Sequence, residues 1–213
     1  MITIKKNATI LFQGDSITDT DRLRNGADTV NPAALGSGYV NHIASHLLLA
    51  RPSDKLTILN RGISGNRIVD LYSRWKCEGV NLKPDIISIL IGVNDTWHEF
   101  SSNNGVEPQR FEHIYRIMLD YTREKLPDVQ LVICEPFVLR CGVVEKAWIA
   151  EMDIRREMVS KISADYNATF VPFQSAFNEA KEKAPADYWL SDGVHPTPAG
   201  HRLMADVWLT AAL

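Results

Sequence analysis

Apolar residues gather along the chain in four short runs, at residues 8–12, 56–59, 86–91 and 131–134, with a weaker fifth at 169–171. Runs that are apolar on both faces, without alternation, suit a parallel sheet covered on both sides, because successive side chains then enter opposite apolar layers. Between the runs the apolar period becomes helical. Val40, Ile43, Ala44 and Leu47 share one face, as do Phe111, Ile114, Met118 and Tyr121. Trp148, Met152, Val159, Ile162 and Tyr166 form a third stripe, and Leu203 with Val207 a last one. Alternating strand and helix patterns predict an α/β protein with three layers, α/β/α, around a central five-stranded parallel sheet. Residues 25–32 and 101–108 read as surface loops. Neither looks like a linker, so residues 1–213 are expected to form one domain.

In such a sheet the carboxyl ends of all strands lie along one edge, where ligands bind. Three polar segments are thereby brought together: Gln13-Gly-Asp-Ser-Ile-Thr-Asp19 after the first strand, Asn60-Arg-Gly-Ile-Ser-Gly-Asn66 after the second, and Gly92-Val-Asn-Asp95 after the third. In the flavodoxin-like strand order 2-1-3-4-5, strands one and three flank the switch-point crevice, where Ser16 and Asn94 would face each other. Far downstream, ahead of the last helical stripe, stands Ser191-Asp-Gly-Val-His-Pro196.

These residue types suit acyl transfer. A serine hydroxyl is a weak nucleophile until a neighbouring base takes its proton, and histidine is the best-tuned base at neutral pH. Asp192, three residues before His195, can converge with it on one short turn and fix its tautomer, a task that a backbone carbonyl could also perform. Attack on an ester creates an oxyanion that needs preorganised donors, each worth about 3 kcal/mol. The backbone N–H groups of Ser16 and Gly65 and the side-chain amide of Asn94 are the candidates, with Gly65 allowing close approach because it has no Cβ. Plainer roles stand beside these: Ser16 as a helix N-cap, Asn94 as a loop cap, Asp15 and Asp95 as loop hydrogen-bonding groups. Asp15, Trp97 and His98 are the candidate substrate contacts, with packing the equal alternative for Trp97.

Gly14-Asp-Ser-Ile17, Gly65, Gly92-Val-Asn94 and Asp192-Gly-Val-His195 resemble, in chain order, the four sequence blocks of the GDSL, or SGNH, hydrolase superfamily. The resemblance spans residue 10 to the last helix. It implies the SGNH hydrolase fold, nucleophile Ser16, base His195, orienting acid Asp192, and oxyanion donors Ser16, Gly65 and Asn94. The longer strings Gly14-Asp-Ser-Ile-Thr-Asp19, Leu35-Gly-Ser-Gly-Tyr-Val40, Arg61-Gly-Ile-Ser-Gly-Asn66 and Ile91-Gly-Val-Asn-Asp-Thr-Trp97, with Arg22, resemble one narrower branch. That branch includes intracellular acetyl-xylan esterases, which remove O-acetyl groups from xylo-oligosaccharides. The implied activity is a serine esterase acting through an acyl-enzyme on short-chain O-acyl carbohydrates. A lysophospholipase or thioesterase on the same scaffold is the alternative, and a non-catalytic sugar-binding module the third reading. The segments 24–34 and 99–108 match no motif.

Composition narrows the partners. The chain is 45% apolar and 23% charged with net charge -3, which argues against nucleic acid or a charged membrane surface. The start has no apolar leader region, and no window approaches the ~20 apolar residues of a membrane span. Cys77, Cys134 and Cys141 lack metal-ligand spacing and read as free thiols, which favours the cytoplasm. His42 and His46 stand four apart but have no third ligand, and His113 and His201 carry no signal. No metal or cofactor is expected. The absence of Gly-x-Ser-x-Gly argues against the α/β-hydrolase fold, and no phosphate loop is present. The expected partner is a small acylated carbohydrate. Five tryptophans, Trp189 among them, suit either the core or a homo-oligomer interface.

Overall fold

In the computed structural model, which describes residues 1–24 and 31–213, every apolar run is a strand. They are β1 (Thr9–Gly14), β2 (Thr57–Asn60), β3 (Ile86–Leu90), β4 (Gln130–Cys134) and β5 (Thr169–Val171). All neighbours pair in parallel, in the order β2-β1-β3-β4-β5. The helices are α1 (Ser16–Asp19), α2 (Pro32–Leu35), α3 (Tyr39–Ala50), α4 (Ile68–Glu78), α5 (Val93–Ser102), α6 (Pro108–Lys125), α7 (Lys146–Asp165), α8 (Phe173–Ala180), α9 (Ala186–Trp189) and α10 (Pro198–Ala212). Among the described residues, no helix is long and apolar enough to cross a membrane.

Period two along the strands builds both outer layers. Ile10, Phe12, Ile86, Leu90 and Val132 face α3, α8, α10 and the start of α7. Leu11, Ile87, Ile89, Leu131 and Ile133 face α4, α6 and the rest of α7. Each layer holds a fully buried tryptophan with its indole N–H satisfied: Trp208 donates to Ser88 Oγ at 3.0 Å, and Trp75 to Thr122 Oγ1 at 2.8 Å.

The elements depart from the sequence reading where polar residues are buried. β1 continues past its apolar run through Gln13 and Gly14, because the buried Gln13 side chain is bonded to Arg74 and to the Glu78 carbonyl. The expected loop at 101–108 shrinks to 103–107. α5 carries on through Ser101 and Ser102, and Asn103, in the left-handed region, ends it. α6 buries Tyr115 and Leu119 beside Phe111 and Met118, while Ile114 and Tyr121 sit half-buried at the edge. On α10 the buried face is His201, Met204, Ala205 and Trp208, flanked by Leu203 and Val207. Most of the segment 24–34, at 25–30, lies outside the described residues.

Candidate active site

β1 ends at Gly14, where a Cβ would lie 2.4 Å from both the Leu90 carbonyl oxygen and Thr18 Oγ1, so only glycine fits this close turn. Asp15, not Ser16, caps α1, its carboxylate accepting the Ile17 N–H at 3.0 Å. Ser16 is thereby left as a half-buried first helical residue whose hydroxyl does no capping. Its Oγ lies 2.9 Å from His195 Nε2, and His195 Nδ1 lies 2.7 Å from Asp192 Oδ2. Asp192 therefore orients the imidazole, and no backbone carbonyl is needed for it. An Nδ1–H that donates to this carboxylate leaves Nε2 as the acceptor for the Ser16 hydroxyl.

The Asp192–His195 turn is built locally. Asp192 Oδ1 accepts the N–H groups of Val194 at 2.9 Å and of His195 at 2.7 Å. Gly193 adopts φ +91°, and the turn is braced from the segment after β4, where Val143 N–H donates to the Asp192 carbonyl and Leu139 N–H to that of Gly193. Burial alone would raise the Asp192 pKa, but these N–H donors and the imidazole hold it below the usual carboxylate value. The carboxylate thus stays charged opposite the imidazole.

Across the crevice, the segment after β2 carries Gly65. Neither the Ser16 nor the Gly65 N–H donates to an acceptor among the described residues, so both are available to an oxyanion. Asn94 is buried on the first turn of α5, and its amide is steadied by donating one N–H to the Asn66 carbonyl at 3.2 Å. Its second amide N–H remains for a ligand. Within the chain a Cβ at Gly65 would meet nothing within 4 Å, but φ is +83°, so backbone conformation demands glycine beside the expected close approach to a ligand. Gly65→Ala should cost about 1–2 kcal/mol in stability and turn the N–H away from the site. A drop in kcat of about tenfold or more, without a matching rise in KM, is the expected kinetic result. Unchanged kcat would remove Gly65 from the oxyanion hole.

Other residues hold this loop in place. Asp19, one turn after Ser16, accepts from Ser64 N–H and Ser64 Oγ, both at 3.0 Å, and from Arg24 at 3.0 Å. Burial would raise the Asp19 pKa, yet these donors keep it below the usual value. Asn60 donates to the carbonyls of Thr18 and Leu35 and accepts the Gly62 N–H. Arg74, on α4, donates to the carbonyls of Gly14 and Arg61 and to Asn66 Oδ1. Nucleophile turn and oxyanion loop are therefore one bonded unit.

The expected substrate contacts divide. Asp15 is fully buried and cannot touch a ligand, so that expectation is corrected. Burial raises its pKa to about 7, against the Ile17 N–H and His195, which lower it. Trp97 and His98 do line a cavity with Ser16, Gly65, Asn94 and His195. The Trp97 ring lies 5.6 Å from that of His195 and packs edge-on against Trp148 at 5.4 Å.

Asp95 is a loop-bonding group, its carboxyl accepting the Ile68 N–H at 3.0 Å. Burial raises its pKa to about 7 despite Arg155 and that N–H, from 3.8 in the unfolded chain. Between these values the folded protein keeps a proton that the unfolded chain releases, so this group's contribution to stability falls as pH rises from about 4 to about 7. Asp95→Asn keeps the acceptor and loses the titration. The variant should therefore gain on the wild type across that window by about 1 kcal/mol or more in urea unfolding. An equal difference at both ends would contradict the burial-driven shift.

A second cavity, of about 520 Å³, opens on the other side of Ser16 and His195 and is lined also by Thr20, Ser37, His42 and His201. Neither histidine was legible as a site residue, since one sits on a helix face of ordinary pattern and the other among apolar neighbours. Among the described residues, no three His, Cys, Asp or Glu side chains are placed to hold a metal ion. Of the free thiols, Cys134 is buried in β4, and burial pushes its pKa up to about 12.

Residues 12–203 match the model of the GDSL-like Lipase/Acylhydrolase family. An acetylxylan esterase from Geobacillus stearothermophilus is 33% identical over 204 residues, which cover 94% of this chain and 91% of that protein. A GDSL-like lipase candidate from Parabacteroides merdae superposes with TM-score 0.96 at 45% identity, over 99% of this chain and 97% of that one. A catalytic mutant of an acetylxylan esterase from Geobacillus stearothermophilus, with a serine changed to alanine, superposes with TM-score 0.89 at 31% identity, over 99% and 96% of the two chains.

Proposed function

We propose, from the premise that this chain belongs to the GDSL-like lipase/acylhydrolase family and is a carboxylic ester hydrolase, that it removes O-acetyl groups from short carbohydrates through an acetyl-enzyme on Ser16. The observation that carries the mechanism is the hydrogen-bonded line from Asp192 through His195 to Ser16, facing the free N–H groups of Ser16 and Gly65 and the Asn94 amide. Ser16 Oγ attacks the acetyl carbonyl as His195 Nε2 takes its proton. The carbonyl oxygen, now negative, rests among the three donors. His195 returns the proton to the departing sugar oxygen, then takes one from water as it attacks the acetyl-enzyme. Asp192 stays ionised throughout and stabilises the imidazolium.

The sugar substrate rests on the likeness to the acetylxylan esterase and on a two-sided cleft that sets hydroxyl and imidazole groups among apolar walls. Trp97, fixed against Trp148, walls the side that holds the oxyanion donors, which favours an acetyl group over a long acyl chain. Mass spectrometry of acetate released from acetylated xylo-oligosaccharides, acetylated pectin fragments and acetylated sialic acid, and of fatty acid released from a lysophospholipid, tests this. The xylo-oligosaccharides should turn over fastest, and acetate esters should exceed octanoate esters by roughly 100-fold in kcat/KM. Faster hydrolysis of octanoate or lysophospholipid would install the lipid acylhydrolase reading instead.

A further inference from the structure

We infer that the cavity beside His195 is the subsite for the alcohol half of the ester, a hydroxylated sugar ring, and that His201 is the residue that selects it by donating a hydrogen bond from Nε2. This rests on the acyl-transfer reading above and goes beyond it by assigning the two sides of the cleft.

The two cavities meet at Ser16, Ser64 and His195. Oxyanion geometry decides which half of the ester enters each. The carbonyl oxygen must point between Gly65 and Asn94, which line only the smaller cavity, of about 370 Å³. The leaving oxygen must come within reach of His195 Nε2, which returns its proton. An acetyl methyl then lies in the smaller cavity against Trp97. The alcohol passes over His195 into the larger one, along Pro196 and Pro198 toward His201.

That larger cavity is built to present His201. The ring is 9% exposed on the inner face of α10, and its Nδ1 accepts the Tyr39 N–H at 3.2 Å. With Nδ1 an acceptor, a neutral ring carries its hydrogen on Nε2. No acceptor for that N–H is found within the described chain. Burial, with His42 and His195 adding to it, lowers the His201 pKa to about 4, so the ring stays neutral and the donor persists through neutral pH. Gly38 makes the room, since a Cβ there would lie 2.9 Å from His201 Cε1 and 2.6 Å from Thr20 Cγ2. A neutral donor in a cavity that also presents Thr20, Ser37 and His42 suits a sugar hydroxyl. Ile17, Pro196 and Pro198 give the C–H face of a ring apolar surface, and an alkyl leaving group could use only that surface.

The test compares two replacements that each keep one nitrogen's role. Asparagine at 201 retains an acceptor near Nδ1 for the Tyr39 N–H and loses the distal donor. Glutamine retains a distal donor. The readout is the ratio of kcat/KM for an acetylated xylo-oligosaccharide to kcat/KM for ethyl acetate, whose leaving group is too short to reach His201. In His201→Asn the ratio should fall about fivefold to tenfold, the worth of one neutral hydrogen bond, and in His201→Gln it should stay within about twofold of wild type. An unchanged ratio in His201→Asn, or an equal fall in both variants, overturns the inference. Should either variant fail to fold, His42→Trp fills the same cavity from the half-exposed face of α3, and it should lower the ratio as well. An unchanged ratio there also overturns the inference. If the wild type releases no acetate from any sugar ester, the acetyl-carbohydrate reading has failed and the inference falls with it. If only the ratio fails to move, the subsite assignment alone is wrong.

Discussion

Replacing Ser16 with alanine should lower turnover of any acetate ester by about 10⁴-fold or more while leaving the protein folded. The size of the loss follows from the chemistry: among the described residues no other hydroxyl is bonded to His195 Nε2, so the acetyl-enzyme loses the place where it forms. The mildness toward the fold follows from the division of labour at the end of β1. Asp15 satisfies the first turn of α1, so deleting the Ser16 hydroxyl removes no cap. Thermal unfolding within a few degrees of wild type, beside the lost turnover, is the expected pair of observations. Near wild-type activity in this variant would end the account of Ser16 as nucleophile.

The second large effect is expected at Asp192→Asn, and its cause is orientation. Asp192 Oδ1 accepts two backbone N–H groups, from Val194 and His195. An asparagine must use its only carbonyl oxygen for them, which turns its NH₂ group toward His195 Nδ1. That nitrogen is then forced to accept, the ring hydrogen moves to Nε2, and Nε2 can no longer take the Ser16 proton. A fall in kcat of about 10³–10⁴ is expected with KM little changed, because the substrate pockets do not move. A loss that appears mainly in KM would mean that Asp192 shapes the cleft and does not set the tautomer.

These two residues could be found from the sequence for a physical reason. A parallel sheet carries its ligand site at the carboxyl ends of the strands, so the polar residues that follow β1, β2 and β3 had to converge. Ser16, Gly65 and Asn94 are where that rule puts them, and Asp192 and His195 share a turn short enough to be read from spacing alone. The strands themselves were legible because burial on both faces puts apolar residues at successive positions without polar alternation, Ser88 in β3 being an exception bonded by Trp208.

What stayed hidden depends on partners far away in the chain. Asp19 holds Ser64, 45 residues on, and His201 accepts from Tyr39 across 162 residues. Neither pairing leaves a local pattern. Gln13 reads as the start of the segment after β1, and only its bond to Arg74, 61 residues on, shows how the strand runs on through it. Gly65 was legible only in part: its lack of Cβ suggested close approach to a ligand, whereas its positive φ is visible only in the backbone. Asp15, beside the nucleophile, was offered as a substrate contact, yet its neighbour's role needs it buried as a cap.

The central claim is that Ser16, activated by His195 and Asp192, forms the covalent bond. The most direct measurement is labelling with a small alkyl fluorophosphonate followed by peptide mapping. The account predicts one adduct per chain, on Ser16, with acetate-ester turnover lost in proportion to labelling. An adduct on a different residue that accompanies the loss, or full turnover after exposure with no adduct on Ser16, would contradict it.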